Sequence, residues 1–218
     1  MTVLSRRGLG LAAGMLATAG LTAGAIIAQA AGAQDVTPAI GAPAPGFATL
    51  DIAGEPVALA DYADKTVVIE FNNPECPYVV RHYQGTGNMP ALQAEATAEG
   101  VVWITINSSA EGLQGHRDAD GMAEYMASVN GAPTRVVLDH SGDIGHLYAA
   151  KATPHMYVLD RGTLVYQGAI DDKPTASPRD GVEDANNYVR AALDSIAAGT
   201  PVEVTQTVAY GCTMKFAS

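Results

Sequence analysis

The segment 66–77 constrains the fold of this chain more than any other stretch of its sequence. It opens with the run Thr66–Phe71, whose β-branched and aromatic side chains are typical of a buried strand. The Asn-Asn-Pro sequence at 72–74 ends that strand, because proline has no amide hydrogen for a ladder and asparagine favours turns. Pro77 suits the first position of a helix, so Cys76 is predicted to cap a helix N-terminus directly after a buried strand.

A cysteine in that position is expected to ionise readily. Unpaired backbone N–H groups and the positive end of the helix dipole both favour the thiolate, the form that attacks disulfides and peroxides. Glu75 and Arg81 flank Cys76, and we expect the acid to raise the pKa of the thiol and the base to lower it. The alternative is a buried cysteine that only fills space in the core.

The first 33 residues predict a secretion signal outside the folded domain. Ser5-Arg6-Arg7-Gly8-Leu9 is a twin-arginine pattern, and an uncharged stretch rich in glycine, alanine and leucine follows it. Two small-x-small sequences, at 28–30 and 31–33, are candidate cleavage sites. We therefore expect export to the periplasm by the twin-arginine machinery. The alternative is a retained membrane anchor over Leu9–Ala33, a stretch of sufficient length but with few large apolar residues.

The rest of the chain is strongly acidic and contains both cysteines. Beyond residue 33 it has 10 basic and 23 acidic side chains, a formal charge of −13, which opposes binding to nucleic acid and to anionic membranes. Residues 34–201 are long enough for one domain with its own core, and 202–218 form a tail that carries Cys212. In an exported chain, Cys76 and Cys212 are either an oxidisable couple or a structural staple.

Residue patterns predict alternating strands and helices along this domain. The expected strands are 49–51, 57–59, 66–71, 101–106, 134–139, 152–160 and 164–168, and the expected helices are 77–83, 89–99, 118–129, 142–151 and 182–197. Strand–helix–strand units give parallel neighbours, whereas the turn at Arg161-Gly162 gives an antiparallel hairpin. The predicted class is a three-layer α/β fold with a mixed central sheet and an N-terminal strand or hairpin extension.

Three groups of residues carry a resemblance to a known family. They are the Pro/Gly-rich lead-in Gly41–Phe47, Cys76 five residues after Phe71, and Thr153-Pro154 before a strand and hairpin. In these features the chain resembles the thioredoxin-fold redoxins, which include the alkyl hydroperoxide reductase/thiol-specific antioxidant family and periplasmic thiol–disulfide oxidoreductases. The resemblance implies a thioredoxin-like α/β/α fold with Cys76 as the nucleophile. It also implies a cis bond before Pro154, with the backbone of Thr153 lining the substrate groove beside Cys76.

The departures from the family pattern decide which reaction to expect. Val79 stands where these oxidoreductases have the second cysteine of Cys-x-x-Cys, so Cys212 is the candidate resolving cysteine. Asn73 and Ile69 stand where peroxiredoxins usually have Thr or Ser and Pro. We therefore expect thiol–disulfide exchange with a protein or small-thiol substrate and an external reductant, without a cofactor. Peroxide reduction, an antioxidant activity, is the second interpretation.

Several alternatives remain open at this point. A static disulfide that closes so long a loop would stabilise the fold by about 4–5 kcal/mol, or the two thiols could lie too far apart to meet. A copper-handling protein would need Cys76 with His155 or Cys212, which is an incomplete set of soft ligands, so no metal is predicted. His155 could also tune the thiolate, although a structural histidine is the commoner case. A purely scaffolding role is the last alternative.

Overall fold

The computed structural model describes residues 38–177 and 184–217. The strands are β1 (Ala48–Leu50), β2 (Pro56–Ala58), β3 (Thr66–Phe71), β4 (Val102–Asn107), β5 (Arg135–Leu138), β6 (Ala152–Thr153), β7 (His155–Asp160), β8 (Thr163–Gly168) and β9 (Cys212–Thr213). The helices are α1 (Pro77–Val80), α2 (Asn88–Ala98), α3 (Ala119–Ser128), α4 (Asp143–Leu147) and α5 (Tyr188–Ala197), with a 3-10 helix at Leu59–Tyr62 and a π-helical turn at Arg81–Gly85. The predicted signal segment 1–33 lies outside the described residues.

The central sheet has five strands in the order β5-β4-β3-β7-β8. The pairs β3–β4 and β4–β5 are parallel, whereas β3–β7 and β7–β8 are antiparallel, so the predicted mixed sheet is confirmed. β1 and β2 form the expected N-terminal hairpin. β3 and β4 are central and almost entirely buried, which explains their nearly continuous apolar sequences.

Alternate residues of the central strands pack into two separate cores. Val68 and Trp103 belong to the core that α2, α3 and α5 cover, whereas Ile69 and Ile104 belong to the core on the other face, which α4 and the 3-10 helix cover. Helices therefore cover both faces of the sheet, and the predicted three-layer α/β class is confirmed. Among the helices of residues 38–177 and 184–217, none is long and apolar enough to cross a membrane.

Three predicted elements have different boundaries in the structure. The helix after Cys76 leaves α-helical geometry after Val80 and continues as the π-helical turn, which buries the side chains of residues 81–83. The helix predicted from Val182 is wrong at its start, because residues 184–187 are not helical and Val182 itself lies outside the described residues. α5 begins after Asn187, whose side chain accepts a hydrogen bond from the backbone N–H of Arg190 at 2.9 Å. The strand predicted over 152–160 is interrupted at Pro154.

Candidate active site

Cys76 lies at the junction of β3 and α1, as the sequence predicts. It has extended backbone angles (φ −73°, ψ 122°) and caps α1, with Pro77 at the first helical position. Its backbone N–H donates to the carbonyl of Asn73 at 3.0 Å, which closes the turn between strand and helix. The side chain is completely buried, and Sγ donates a hydrogen bond to the carbonyl oxygen of Thr153 at 3.0 Å.

The surroundings of Cys76 favour its thiolate despite that burial. Burial alone opposes ionisation, but hydrogen bonds from the side chain of Cys212 and from the backbone N–H groups of Val79 and Cys212 outweigh it, and the pKa of Cys76 is lowered. Val79 lies in the first turn of α1, so the helix N-terminus contributes to the shift. The site therefore favours a nucleophilic form of this thiol below the pH at which an ordinary cysteine ionises.

Thr153 brings Cys76 and the tail together. The Thr153–Pro154 bond is cis, as the resemblance implied. β6 pairs with β9 in antiparallel register, so that Thr153 lies opposite Cys212. The carbonyl of Thr153 thus accepts from the Cys76 thiol while its strand holds the tail that carries the second cysteine. Cys76 and Cys212 are therefore held near each other and pack against the same core.

Cys212 has the opposite acid–base character. Burial, a hydrogen bond to Cys76 and the negative charge of the Cys76 thiolate together raise the pKa of Cys212 to about 12, against a smaller lowering effect of Lys215. Neither cysteine is part of a disulfide in the structure. The pair therefore consists of one easily ionised sulfur and one sulfur that stays protonated and donates to it.

This asymmetry predicts a pH profile for alkylation by iodoacetamide. Because the thiolate reacts, the pH dependence of Cys76 alkylation should have a midpoint below the value of about 8.5 for an ordinary cysteine, and that of Cys212 should lie well above it. Peptide mapping by mass spectrometry across the pH range measures both rates. Cys212→Ala should move the Cys76 midpoint upward, because the hydrogen bond from Cys212 is lost. A Cys76 midpoint at or above about 8.5 would contradict the assignment.

Glu75 and Arg81 make their contacts away from the thiol. Glu75 pairs with Arg117 at 2.8 Å and accepts the backbone N–H of Gly115 at 3.1 Å. Arg81 is completely buried, with its guanidinium 3.6 Å from the carboxylate of Asp171. Neither residue is among the leading causes of the pKa shift of Cys76, so the opposing effects expected from their positions in the sequence are not the dominant ones.

His155 follows Pro154 but belongs to the framework of the sheet. It pairs with Phe71 in the β3–β7 register, and its Nδ1 lies 3.3 Å from the backbone N–H of Lys151 and 3.2 Å from the hydroxyl of Tyr157. Burial, with a smaller contribution from the charge of Lys151, lowers the pKa of His155 to about 4. The imidazole is therefore neutral at neutral pH and supplies no positive charge to a thiolate, which favours the structural interpretation.

The structure also shows a buried carboxylate that sequence reasoning missed. Glu70 in β3 is fully buried on the same face as Cys76. It accepts hydrogen bonds from Asn72, Tyr83, Gln93, Trp103 and Thr105. Tyr125 is influenced by both groups: burial first, and then the charges of Glu70 and Cys76, raise its pKa, so its hydroxyl stays protonated. The one available signal was an acidic residue inside an otherwise apolar strand.

A metal site finds little support in this part of the molecule. Among residues 38–177 and 184–217, no group of three or more His, Cys, Asp or Glu side chains is arranged to hold a metal ion. Cys76 and Cys212 together provide two sulfur ligands, fewer than a closed soft-metal site requires.

Comparisons with known proteins agree with this architecture. A family model described as Redoxin matches residues 39–187 of the chain, and no curated protein sequence matches it. The chain is similar to a hypothetical protein from Sinorhizobium meliloti 1021 (TM-score 0.72, 25% identity), with 84% of this chain and 97% of that chain covered. An uncharacterized conserved protein from Geobacillus kaustophilus is also similar (TM-score 0.70, 29% identity), and the match covers 82% of this chain and 93% of that chain. A thioredoxin family thiol:disulfide interchange protein from Chlorobium tepidum TLS gives a TM-score of 0.47 and 19% identity, with 60% and 87% covered.

Proposed function

From the premise that this chain belongs to the redoxin family and has a thioredoxin-like fold, we propose that it is an exported thiol–disulfide oxidoreductase. Cys76 is its nucleophile and Cys212 its resolving cysteine. The observation that carries the proposal is the placement of Cys212 opposite Thr153, whose carbonyl accepts from the Cys76 thiol; the pKa of Cys76 is lowered there and that of Cys212 is raised. Pro77 occupies the first position of the helix whose N-terminus favours the thiolate. Thr153 and the cis-proline Pro154 line the other side of the Cys76 sulfur.

The reaction proceeds in two exchanges. The Cys76 thiolate attacks one sulfur of a substrate disulfide, forms a mixed disulfide and releases the other substrate sulfur as a thiolate, which takes up a proton. Cys212 then loses its proton and attacks the Cys76 sulfur, and the second substrate thiol leaves as the Cys76–Cys212 disulfide forms. The substrate gains two electrons and the protein loses two. An external dithiol reductant restores both cysteines.

The charge of Cys76 imposes this order of events. While Cys76 is a thiolate, its negative charge and its hydrogen bond raise the pKa of Cys212, so Cys212 is held as an unreactive thiol. A mixed disulfide at Cys76 carries no charge, so both of these influences on Cys212 disappear. Cys212 therefore becomes easier to ionise at the step that requires its thiolate.

Peroxide reduction is the second candidate, and the geometry ranks it lower. In that reaction the Cys76 thiolate would cleave the O–O bond and become a sulfenic acid, and Cys212 would then displace water to give the same disulfide. Asn73 occupies the place of the peroxiredoxin Thr or Ser, and its side chain accepts from the N–H of Glu75 at 2.9 Å and donates to the carbonyl of Gln114 at 3.1 Å. Its polar atoms are thus engaged in the turn.

One oxidation experiment tests the proposal directly. Reduced protein mixed with one equivalent of oxidised glutathione should give the Cys76–Cys212 disulfide and two molecules of glutathione, as identified by mass spectrometry. Cys212→Ser should stop at the Cys76–glutathione mixed disulfide, since the resolving thiol is absent. A parallel sample with hydrogen peroxide measures the second candidate. Wild-type protein that keeps glutathione on Cys76 would contradict the redox couple. A Cys76–Cys212 bond that dithiothreitol does not reduce would also contradict it and would favour a structural disulfide.

We also propose that this couple works outside the cytoplasm. The support is the twin-arginine pattern around Arg6 and Arg7, which lies outside the described residues. Export by the twin-arginine machinery would place the cysteines in the periplasm, an oxidising compartment in which protein disulfides form and persist. Such a location suits a protein whose substrates and reductant are thiols and disulfides.

A further inference from the structure

The tail holds Cys212 with very little sheet structure of its own. β9 contributes two pairs to its ladder, Thr213 with Ala152 and Cys212 with Thr153. A two-residue strand fixes little by itself, because backbone ordering costs about 1–2 kcal/mol per residue. The position of Cys212 against Cys76 must therefore depend on contacts on either side of β9.

A buried polar cluster anchors the tail two residues before Cys212. The hydroxyl of Tyr210 donates to the carboxylate of Asp171 and lies 3.0 Å from Nε2 of His82. Arg81, 3.6 Å from Asp171, completes this cluster, and the side chains of Arg81, His82 and Asp171 are essentially inaccessible to solvent. Hydrogen bonds to a desolvated carboxylate are among the stronger ones in proteins. Tyr210 thus ties the tail to the interior close to Cys212, beyond the hydrogen bonds that Thr205 and Thr207 make with Gln167.

The anchor belongs to the same segment that begins at Cys76. His82 lies in the π-helical turn that continues α1, and the rings of Tyr78 and Tyr210 are in contact at 5.8 Å between centroids. Tyr78 is two residues after Cys76 and Tyr210 is two residues before Cys212. The two tyrosines therefore bring α1 and the tail into contact close to both cysteines.

Gly211 is the spacer between the anchor and the thiol. Its φ of +138° disfavours other residues, and a Cβ at this position would lie 2.0 Å from the carbonyl oxygen of Thr153. Glycine lets the tail lie directly on the residue that precedes Pro154. In this short segment Tyr210 binds the interior, Gly211 lies against the backbone of Thr153, and Cys212 follows with its thiol.

A second contact holds the tail after Cys212. The ring of Phe216 lies against Gly142 and Gly145 at the start of α4, where added Cβ atoms would come within 2.8 and 2.4 Å of it. The carbonyl of Lys215 accepts the backbone N–H of Ala110 at 2.8 Å. This downstream contact limits how far the end of the tail can move, but the upstream anchor is closer to the thiol and contains the polar bonds to buried groups.

We propose that Tyr210 is the positioning residue of the resolving step: its hydroxyl, held by Asp171 and His82, fixes the tail so that Cys212 faces the Cys76 sulfur. This inference rests on the proposed function, because it assumes that Cys212 attacks a mixed disulfide at Cys76. Tyr210 touches neither sulfur in that step and acts through the backbone of Gly211. Loss of its hydroxyl should therefore slow resolution without removing the nucleophile.

The test follows the lifetime of a small mixed disulfide on Cys76. Methyl methanethiosulfonate transfers a methylthio group to the Cys76 thiolate and releases methanesulfinate; Cys212 then attacks the Cys76 sulfur and methanethiol leaves with a proton. Acid quenching and mass spectrometry follow the conversion of the adduct to the Cys76–Cys212 disulfide. In Tyr210→Phe the adduct should persist about tenfold longer than in the wild type, as expected for the loss of a hydrogen bond to a charged group.

Control variants separate positioning from general stability. Tyr62→Phe removes a hydroxyl from the 3-10 helix and should leave the adduct lifetime unchanged. If Tyr210 were merely structural, Tyr210→Phe would lower the melting temperature and leave the lifetime as in the wild type, and that result would overturn the inference. Should Tyr210→Phe not fold, His82→Leu serves the same purpose, because it removes a partner of the Tyr210 hydroxyl: a longer lifetime is expected, and an unchanged one would overturn the inference. If the wild-type adduct never converts, the proposed function fails as well, so the two failures are distinguishable.

Discussion

Replacing Cys76 with serine is expected to lower disulfide reduction by about a thousandfold or more, because the variant has no sulfur that ionises near neutral pH. A serine hydroxyl placed at the start of α1 receives the same N–H groups but remains protonated. Cys212 loses the influence of the Cys76 thiolate in this variant, but burial, the largest cause of its raised pKa, still opposes its ionisation, and no helix N-terminus favours it. The measurement is the rate of oxidised-glutathione reduction with dithiothreitol as the reductant.

Cys212→Ser is the matched control for this variant. It removes the other sulfur of the pair but keeps Cys76 at the N-terminus of α1, so the first exchange should persist while the mixed disulfide accumulates. Melting temperatures should show that both variants are folded. Activity of Cys76→Ser within about tenfold of the wild type would mean that Cys212, and not Cys76, attacks the substrate.

Local pattern was sufficient to predict where Cys76 lies and which elements flank it. A buried strand, a turn and a helix-starting proline follow one another within 66–77, so the position of Cys76 depends on contacts that are close in sequence. The cis bond before Pro154 is confirmed as well, although there the information came from the resemblance and not from composition.

The tail anchor could not be predicted in the same way. Tyr210 is 128 residues from His82 and 39 residues from Asp171, and no periodicity or spacing links positions so far apart. Each residue alone also has an ordinary interpretation, since surface tyrosines, histidines and aspartates are common. The start of α5 was missed for a related reason: the apolar spacing continues before the helix, but the Asn187 cap decides where the helix begins.

Replacing Glu70 with alanine is expected to destabilise the fold by about 3–5 kcal/mol. The carboxylate is the common acceptor for five side chains in the core between β3, β4 and α2. Trp103 and Gln93, for example, donate to it at 2.9 and 3.0 Å. Without it these donors would be buried with fewer or no acceptors, and a cavity would add to the cost.

Equilibrium denaturation measures this loss, and two further variants define its cause. For a domain of this size the expected change corresponds to a fall in melting temperature of about 10 °C or more. Glu111→Ala, at an exposed position, should change the free energy of unfolding by less than about 0.5 kcal/mol. The free energy of unfolding of Glu70→Gln should lie between those of the wild type and the alanine variant. Glutamine keeps one acceptor oxygen, but its amide group turns a donor toward the other donors. An alanine variant as stable as the wild type would mean that the surrounding donors find other acceptors. In that case the stability of β3, the strand that leads to Cys76, would not depend on Glu70.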